Sequence, residues 1–280
     1  MESLCDLHVH SVFSDGTLTP TQLVQEALRR ELSAVALCDH NTVAGLSEFL
    51  AAAEGTALEA VPGIEFSCDY RGGEVHVLGL FVEPQYYEKI TDLLEDFRKS
   101  KEQSNISLVE ALEKAGYQLD YPAIKAKTPN GQASRVHIAT ALMEAGYIAS
   151  VKEGFKTLLS PQYGYYSPPR RMGAYEAIRF IKSIGAVAVL AHPFLNLTEE
   201  SLREFLPEAI VCGLDGMETM YSKHSEEEMV LAATIADEFG LKHSGGSDFH
   251  GVSKPEISMG SGKGNLCIPL KILESLREHK

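Results

Sequence analysis

Asp6-Leu7-His8-Val9-His10 is the stretch on which the reading of the fold turns. Apolar and polar residues alternate in it, so on an extended strand Asp6, His8 and His10 share one face. Two imidazoles one pleat apart can bind a single metal ion. The stretch lies in an apolar or alternating run at 3–10. Similar runs recur at 33–40, 59–67, 74–82, 185–191, 213–220 and 242–248. Segments of helical period separate several of them. Thr19-Pro20-Thr21-Gln22 has the N-cap, first-turn proline and capping-box Gln of a helix start. Ser225 with Glu228 repeats the capping box, and Gly240 suits the stop of that helix. Strands alternating with helices imply an α/β fold with a mostly parallel sheet, and seven candidate strands predict a seven-stranded barrel variant.

Residues 84–171 break the rhythm. Helical periodicity continues there, through Ile90, Leu93, Leu94 and Phe97, then Leu108, Val109 and Leu112 with Gly116 as a stop. No strand is evident, and the stretch ends in the irregular Tyr163-Gly164-Tyr165-Tyr166-Ser167-Pro168-Pro169. It reads as a helical cap inserted into a barrel made of 1–83 and 172–280. The insertion has 12 Lys and Arg against 10 Asp and Glu, a net +2, which leaves −16 of the chain's −14 on the remainder.

At 280 residues, 44% hydrophobic and 23% charged, the chain has the composition of an ordinary globular protein. Disordered, collagenous and membrane-spanning classes are excluded. Five scattered cysteines (Cys5, Cys38, Cys68, Cys212, Cys267) form no Cys-x-x-Cys pair and read as buried thiols of a reducing compartment. Met1-Glu2-Ser3 opens without an apolar signal region, so a cytoplasmic location is expected.

Histidines and carboxylates recur where the candidate strands end. Asp15 lies in the turn Ser14-Asp15-Gly16. The second strand ends Cys38-Asp39-His40, the third contains Pro62-Gly63-Ile64-Glu65, and the fourth carries His76 between Val75 and Val77. The fifth ends Leu190-Ala191-His192-Pro193 and the seventh Gly246-Ser247-Asp248-Phe249-His250. A lone histidine on an apolar strand is ordinarily a satisfied core residue. The conjunction differs, because barrel strands converge on one rim, where sites are built. His76, near the start of its run, is the awkward member. Imidazole and carboxylate without thiolate suit Mn, Fe or Zn. Nine candidate ligands (His8, His10, Asp15, His40, Glu65, His76, His192, Asp248, His250) suit two or three divalent ions, with Glu65 as the natural bridge. So charged a centre favours anions, phosphate esters foremost, and metal-bound water is a nucleophile at neutral pH. Asp6 is expected to orient a ligand imidazole. His224, His243 and His279 are left as surface, supporting and tail residues.

These segments together resemble the PHP (polymerase and histidinol phosphatase) family of metallophosphoesterases. The resemblance implies a distorted (β/α)7 TIM-like barrel with a trinuclear centre. By that resemblance His8, His10, Glu65 and Asp248 hold one ion, Glu65, His76 and His192 a second, and Asp15, His40 and His250 a third. Glu65, Asp248 and His192 are the residues expected to carry catalysis. The insertion is similar to that of 3′,5′-nucleoside bisphosphate phosphatases and 5′-3′ exoribonucleases, whose cap carries an Arg-x-His pair. Here the pair is Arg135 and His137 in Ser134-Arg135-Val136-His137, where a helix N-terminus after the Ser134 cap favours phosphate. The expected activity is phosphate release from nucleoside 3′,5′-bisphosphates or the 5′ ends of short oligonucleotides, by in-line attack of a hydroxide bridging two ions. The alternatives are a histidinol-phosphate or other small-molecule phosphatase and a non-catalytic, metal-stabilised scaffold. The partner is a small phosphorylated molecule; neither a membrane nor a long duplex is expected, since −16 repels extended nucleic acid.

Overall fold

Every residue of the first strand, β1 (Cys5–Val9), is buried, whichever way its side chain points. A strand buried on both faces belongs inside a closed, covered sheet. The computed structural model describes residues 3–128, 131 and 133–280; Met1 and Glu2, the opening of the expected leaderless terminus, lie outside the described residues. The further strands are β2 (Ala34–Leu37), β3 (Glu59–Tyr70), β4 (Gly73–Leu80), β5 (Met172–Gly173), β6 (Val187–Leu190), β7 (Gly216–Tyr221) and β8 (Lys242–Gly246). Seven pair in the order β1-β2-β3-β4-β6-β7-β8, and the two-residue β5 pairs with β3 off that path. Beyond the end of β8 the sheet comes back to β1. His10 N donates to Phe249 O and Asp248 N to His8 O, both at 2.9 Å. The fold is therefore the seven-stranded α/β barrel expected from the sequence, nearly closed.

One departure from a parallel barrel decides the geometry of the site. β3 and β4 form an antiparallel hairpin through Arg71 and Gly72, whose φ values of 52° and 79° fit a two-residue turn of the primed type. β4 is also antiparallel to β6, whereas β1–β2, β2–β3, β6–β7 and β7–β8 are parallel. The start of β4 thus lies at the rim where its parallel neighbours end. The position of His76, anomalous in the sequence, follows from this reversal.

The helix signals are realised as read. Thr19 caps the helix Pro20–Arg29 and completes a capping box with Gln22. Ser225 and Glu228 do the same for Glu226–Phe239, which Gly240 ends in the left-handed conformation. Four of the five cysteines are buried, but Cys267 is exposed, a correction to the expectation that all are buried.

The chain divides into two compact units. One runs up to Thr91 and resumes from Met172 to Lys280; the other is Asp92–Arg171. Residues 84–91 group with the barrel: Ile90 is fully buried, and the Lys89 ammonium lies over the Phe180 ring. The second unit is helical, with Leu108, Val109, Leu112, Ile138, Leu142 and Leu159 in its own core. Among the described residues no helix is long and apolar enough to cross a membrane.

Candidate metal centre

The rim gathers its polar side chains by strand geometry and by local ties that bend the chain inward. His8 and His10 leave β1 on one face and are fully buried. The loop from His10 to Asp15 wraps around Asp39, whose carboxylate accepts from Ser11 N (2.8 Å), Ser11 Oγ (2.5 Å) and Ser14 Oγ (2.6 Å). His40 follows β2. Glu65 lies in β3, His76 in β4 and His192 just beyond β6. Asp248 and His250 follow β8. Asn41, His192 and Asp248 have φ of 50°, 28° and 56°, values that L-residues adopt only where their surroundings hold them.

Glu65 is the hub. Its Oε2 faces His8 Nε2 at 3.2 Å, His10 Nε2 at 3.3 Å and His40 Nδ1 at 2.9 Å. Its Oε1 faces His76 Nδ1 at 2.7 Å and His192 Nε2 at 3.0 Å. Asp248 Oδ1 stands 3.2 Å from His10 Nε2. Asp15 Oδ1 stands 3.1 Å from His250 Nε2, and its Oδ2 3.9 Å from His40 Nε2. All nine sequence-derived candidates thus converge on one rim.

Whether these donors fit a metal can be judged from their lone pairs. His8 donates from Nδ1 to Glu218 at 2.9 Å; against burial, Glu65 and Glu218 push its imidazolium well above the usual range, and a metal ion taking the second proton's place would meet Nε2. His10 Nδ1 faces Ser14 Oγ at 3.4 Å, and that hydroxyl already donates to Asp39, so Nδ1 is the donor and Nε2 is bare. The two Nε2 atoms are 3.0 Å apart and flanked by carboxylate oxygens. Glu65 Oε2, Asp15 Oδ1 and His40 Nδ1 are buried without hydrogen-bond geometry to any partner. Lone pairs converging this closely repel one another unless a cation lies among them.

The titration behaviour carries the same demand for positive charge. Burial alone would neutralise Glu65, yet His40, His76 and His8 hold its carboxyl well below the usual range. Asp15 and Asp248 are likewise held low against burial, chiefly by His250. Burial disfavours the His76 imidazolium, but Glu65 outweighs it and pushes the ring up to about 10. Burial with the charge of His250 lowers His10, keeping it neutral. Divalent cations would take the place of these protons. The donor set, imidazole and carboxylate without thiolate, suits divalent metal binding.

Several supporting residues were not found in the sequence. Asp6 orients no imidazole: it accepts from Ser247 N (2.8 Å), Ser247 Oγ (2.5 Å) and Gly260 N (2.7 Å) and so ties the end of β8 to β1. Glu218 is the group that orients His8. Its signal was legible, since Glu218 in Gly216-Met217-Glu218 is a carboxylate inside a strand, as Glu65 is. Tyr221 Oη and Lys254 Nζ both donate to Asp248 Oδ2 at 2.9 Å. His224 is buried beside the Tyr221 and Phe194 rings, a correction to its reading as a surface residue. His243 contacts Thr219 and Asp237, and His279 lies near Asp215.

Arg135 and His137 belong to the helical unit. Ser134 caps the helix Arg135–Glu144, and Ser134 N donates to His137 Nδ1 at 3.1 Å, closing a capping box. The Arg135 guanidinium lies over Tyr166 at 4.3 Å and over Phe155 at 5.2 Å. A guanidinium held over aromatic rings keeps its N–H donors at its own edge, the direction from which phosphate is bound.

Comparison with known proteins agrees with this geometry. Residues 6–158 match the family model described as the PHP domain. A 5′-3′ exoribonuclease of Haemophilus influenzae is 33% identical over 246 residues, covering 88% of this chain and 89% of that one. A 3′,5′-nucleoside bisphosphate phosphatase of Chromobacterium violaceum is 30% identical over 247 residues, covering 88% and 86%. The solved structure of a Bifidobacterium adolescentis protein, assigned as a metal-dependent phosphoesterase, superposes with a TM-score of 0.85 at 29% identity, covering 99% and 96%.

Proposed function

The chain belongs to the PHP domain family, and from that premise we propose that it is a metal-dependent phosphoesterase acting on nucleoside 3′,5′-bisphosphates and the 5′ ends of short oligonucleotides. The observation that carries the proposal is Glu65, one buried carboxylate whose two oxygens face five imidazoles. Such an arrangement serves to share a carboxylate between cations. His8, His10, Glu65 and Asp248 would hold one ion, Glu65, His76 and His192 a second, and Asp15, His40 and His250 a third, each Mn, Fe or Zn. Bound there, divalent ions supply positive charge to phosphoryl oxygens and bring the pKa of water near neutrality.

The chain's own residues set the geometry. Asp248 keeps Oδ1 toward His10 while Tyr221 and Lys254 engage Oδ2, so its carboxylate does not rotate. Lys254, ion-paired with Asp248, would also offer positive charge to a phosphate bound there. Burial of His8, His10 and Glu65 excludes bulk water from the floor of the site. Arg135 and His137 are assigned a second, non-reacting phosphate, a role that requires a small substrate with two phosphates or an oligonucleotide end. The relatives named above support that substrate class.

Phosphate release after reconstitution with Mn²⁺ tests the reading, with adenosine 3′,5′-bisphosphate, AMP and histidinol phosphate as substrates. Selective release from the bisphosphate is expected. Turnover of histidinol phosphate alone would retain the metal centre and discard the assignment of Arg135 and His137. Bound metal with no turnover of any phosphoester would return the protein to the scaffold class.

Arg135→Ala is expected to raise KM for the bisphosphate roughly 10- to 150-fold, the equivalent of about 1.5–3 kcal/mol for a charge-assisted contact. Metal content should not change. An unaltered KM would remove Arg135 from the site.

A further inference from the structure

Glu218 lies within β7, fully buried, and nothing above gives it a part beyond orienting His8. Each of its carboxylate oxygens serves a different candidate ligand. Oε1 accepts from His8 Nδ1 at 2.9 Å, and Oε2 accepts from the backbone N–H of His192 at 2.6 Å. The first bond fixes a tautomer. With its proton on Nδ1, His8 presents Nε2 to His10 and Glu65. The second bond holds a strained backbone. His192 sits at φ 28° and ψ 62°, between Ala191 and the helix that Pro193 begins, and in that conformation its Nε2 reaches Glu65 Oε1 at 3.0 Å. A non-glycine residue persists in such a conformation only where its surroundings over-determine it.

We propose that Glu218 is a positioning residue that sets two ion sites at once, one through the His8 tautomer and the other through the His192 backbone. The proposal rests on the metal-centre reading above. It makes Glu218 different from a terminal ligand, which serves its own ion, and from Glu65, which would be shared by direct contact: Glu218 reaches two ions only through residues on β1 and after β6. Glu218, His8 and His192 also lie close enough together to form a chelating group. Both carboxylate oxygens, however, are already engaged by N–H donors, which points them away from that role.

Glutamine separates these possibilities because it keeps the shape and loses one acceptor. An amide has one oxygen for two N–H donors, so either His8 Nδ1–H or His192 N–H then faces an NH₂ group. In full-length Glu218→Gln, titrated with Mn²⁺ against a chelating indicator, apparent affinity should fall roughly 10- to 100-fold at two sites. The third, at Asp15, His40 and His250, should bind as in wild type. The rise in Tm on adding Mn²⁺ should shrink, and excess Mn²⁺ should restore part of the turnover. Wild-type affinity in folded Glu218→Gln would overturn the proposal. So would loss of one ion with the others unaffected, the result expected of a terminal ligand. Should the variant not fold, ¹⁵N-histidine spectra of the Zn²⁺-loaded wild type decide the matter: His8 must carry its proton on Nδ1, and a proton on Nε2 overturns the assignment. If wild type takes up no divalent ion, the metal-centre reading itself fails; if wild type binds ions and the variant binds them identically, only the role of Glu218 fails.

Discussion

Glu65→Ala should lower phosphate release from a bisphosphate by roughly 10³-fold or more, a loss of about 4 kcal/mol in transition-state stabilisation. The size follows from how many contacts end on this one group. Each oxygen faces at least two imidazoles within 3.3 Å, and the two oxygens point at different sets, so alanine removes a donor from two ion sites together. His76 loses as well the anion that pushes its imidazolium up to about 10. Glu65→Gln is the companion variant: it fills the same volume and keeps one neutral acceptor, so the barrel should fold while metal binding weakens. Metal content by elemental analysis and turnover at saturating Mn²⁺ should fall together in both variants. Full metal content with more than about a tenth of wild-type turnover would show that Glu65 is not the shared donor. Arg135→Ala gives the opposite pattern, with metal retained and KM raised, so the two variants test separate parts of the proposal.

The fold was legible because its strand signals are strong and local. Asp6 to His10 alternates, Ala34 to Leu37 and Val187 to Leu190 are continuous apolar runs, and capping boxes mark two of the helices between strands. What the sequence could not convey was direction. Nothing in Gly73-Glu74-Val75-His76 says that β4 runs against its neighbours, although Arg71-Gly72 is a two-residue turn of the kind that makes a hairpin. Reversal of β4 brings His76 to the rim, and it is a property of pairing rather than of composition. β5 escaped notice because two residues have no period. The supporting residues were less legible than the candidate ligands for a related reason. Asp6 and Glu218 are both buried acids on strands, but which of them meets the His8 ring depends on the neighbours across the barrel. β8 captures Asp6 through Ser247 and so leaves Glu218 to His8.

Gly246→Ala is expected to be a severely damaging single methyl at the seam of the barrel. Gly246 ends β8, where the sheet returns to β1, and a Cβ there would fall against the Cβ of His8, 2.8 Å from His8 N and 3.0 Å from His8 Cα. Two of these atoms are backbone, and β1 has no freedom to yield. It pairs with β2 on one side and is joined to Asp248 and Phe249 on the other by bonds of 2.9 Å. Relief must come from opening that closure, at a cost of about 3 kcal/mol, the upper part of the usual range for overpacking. For a domain of this size the cost corresponds to a fall in Tm of roughly 6–12 °C, read on chelator-treated protein so that metal binding does not mask it. Gly73→Ala is the control. Its added methyl meets only Tyr70 O, at 3.4 Å, and should change stability by less than about 0.5 kcal/mol. Because the contact is with His8, Gly246→Ala should also weaken divalent-ion uptake in whatever fraction remains folded, and Gly73→Ala should not. A Tm within about a degree of wild type would mean that the seam between β8 and β1 is looser than its hydrogen bonds indicate. Wild-type metal affinity accompanying a large fall in Tm would instead separate the closing of the barrel from the placing of His8. The geometry ties the two together, since the residue that closes the sheet against β1 is packed on the histidine that begins the metal centre.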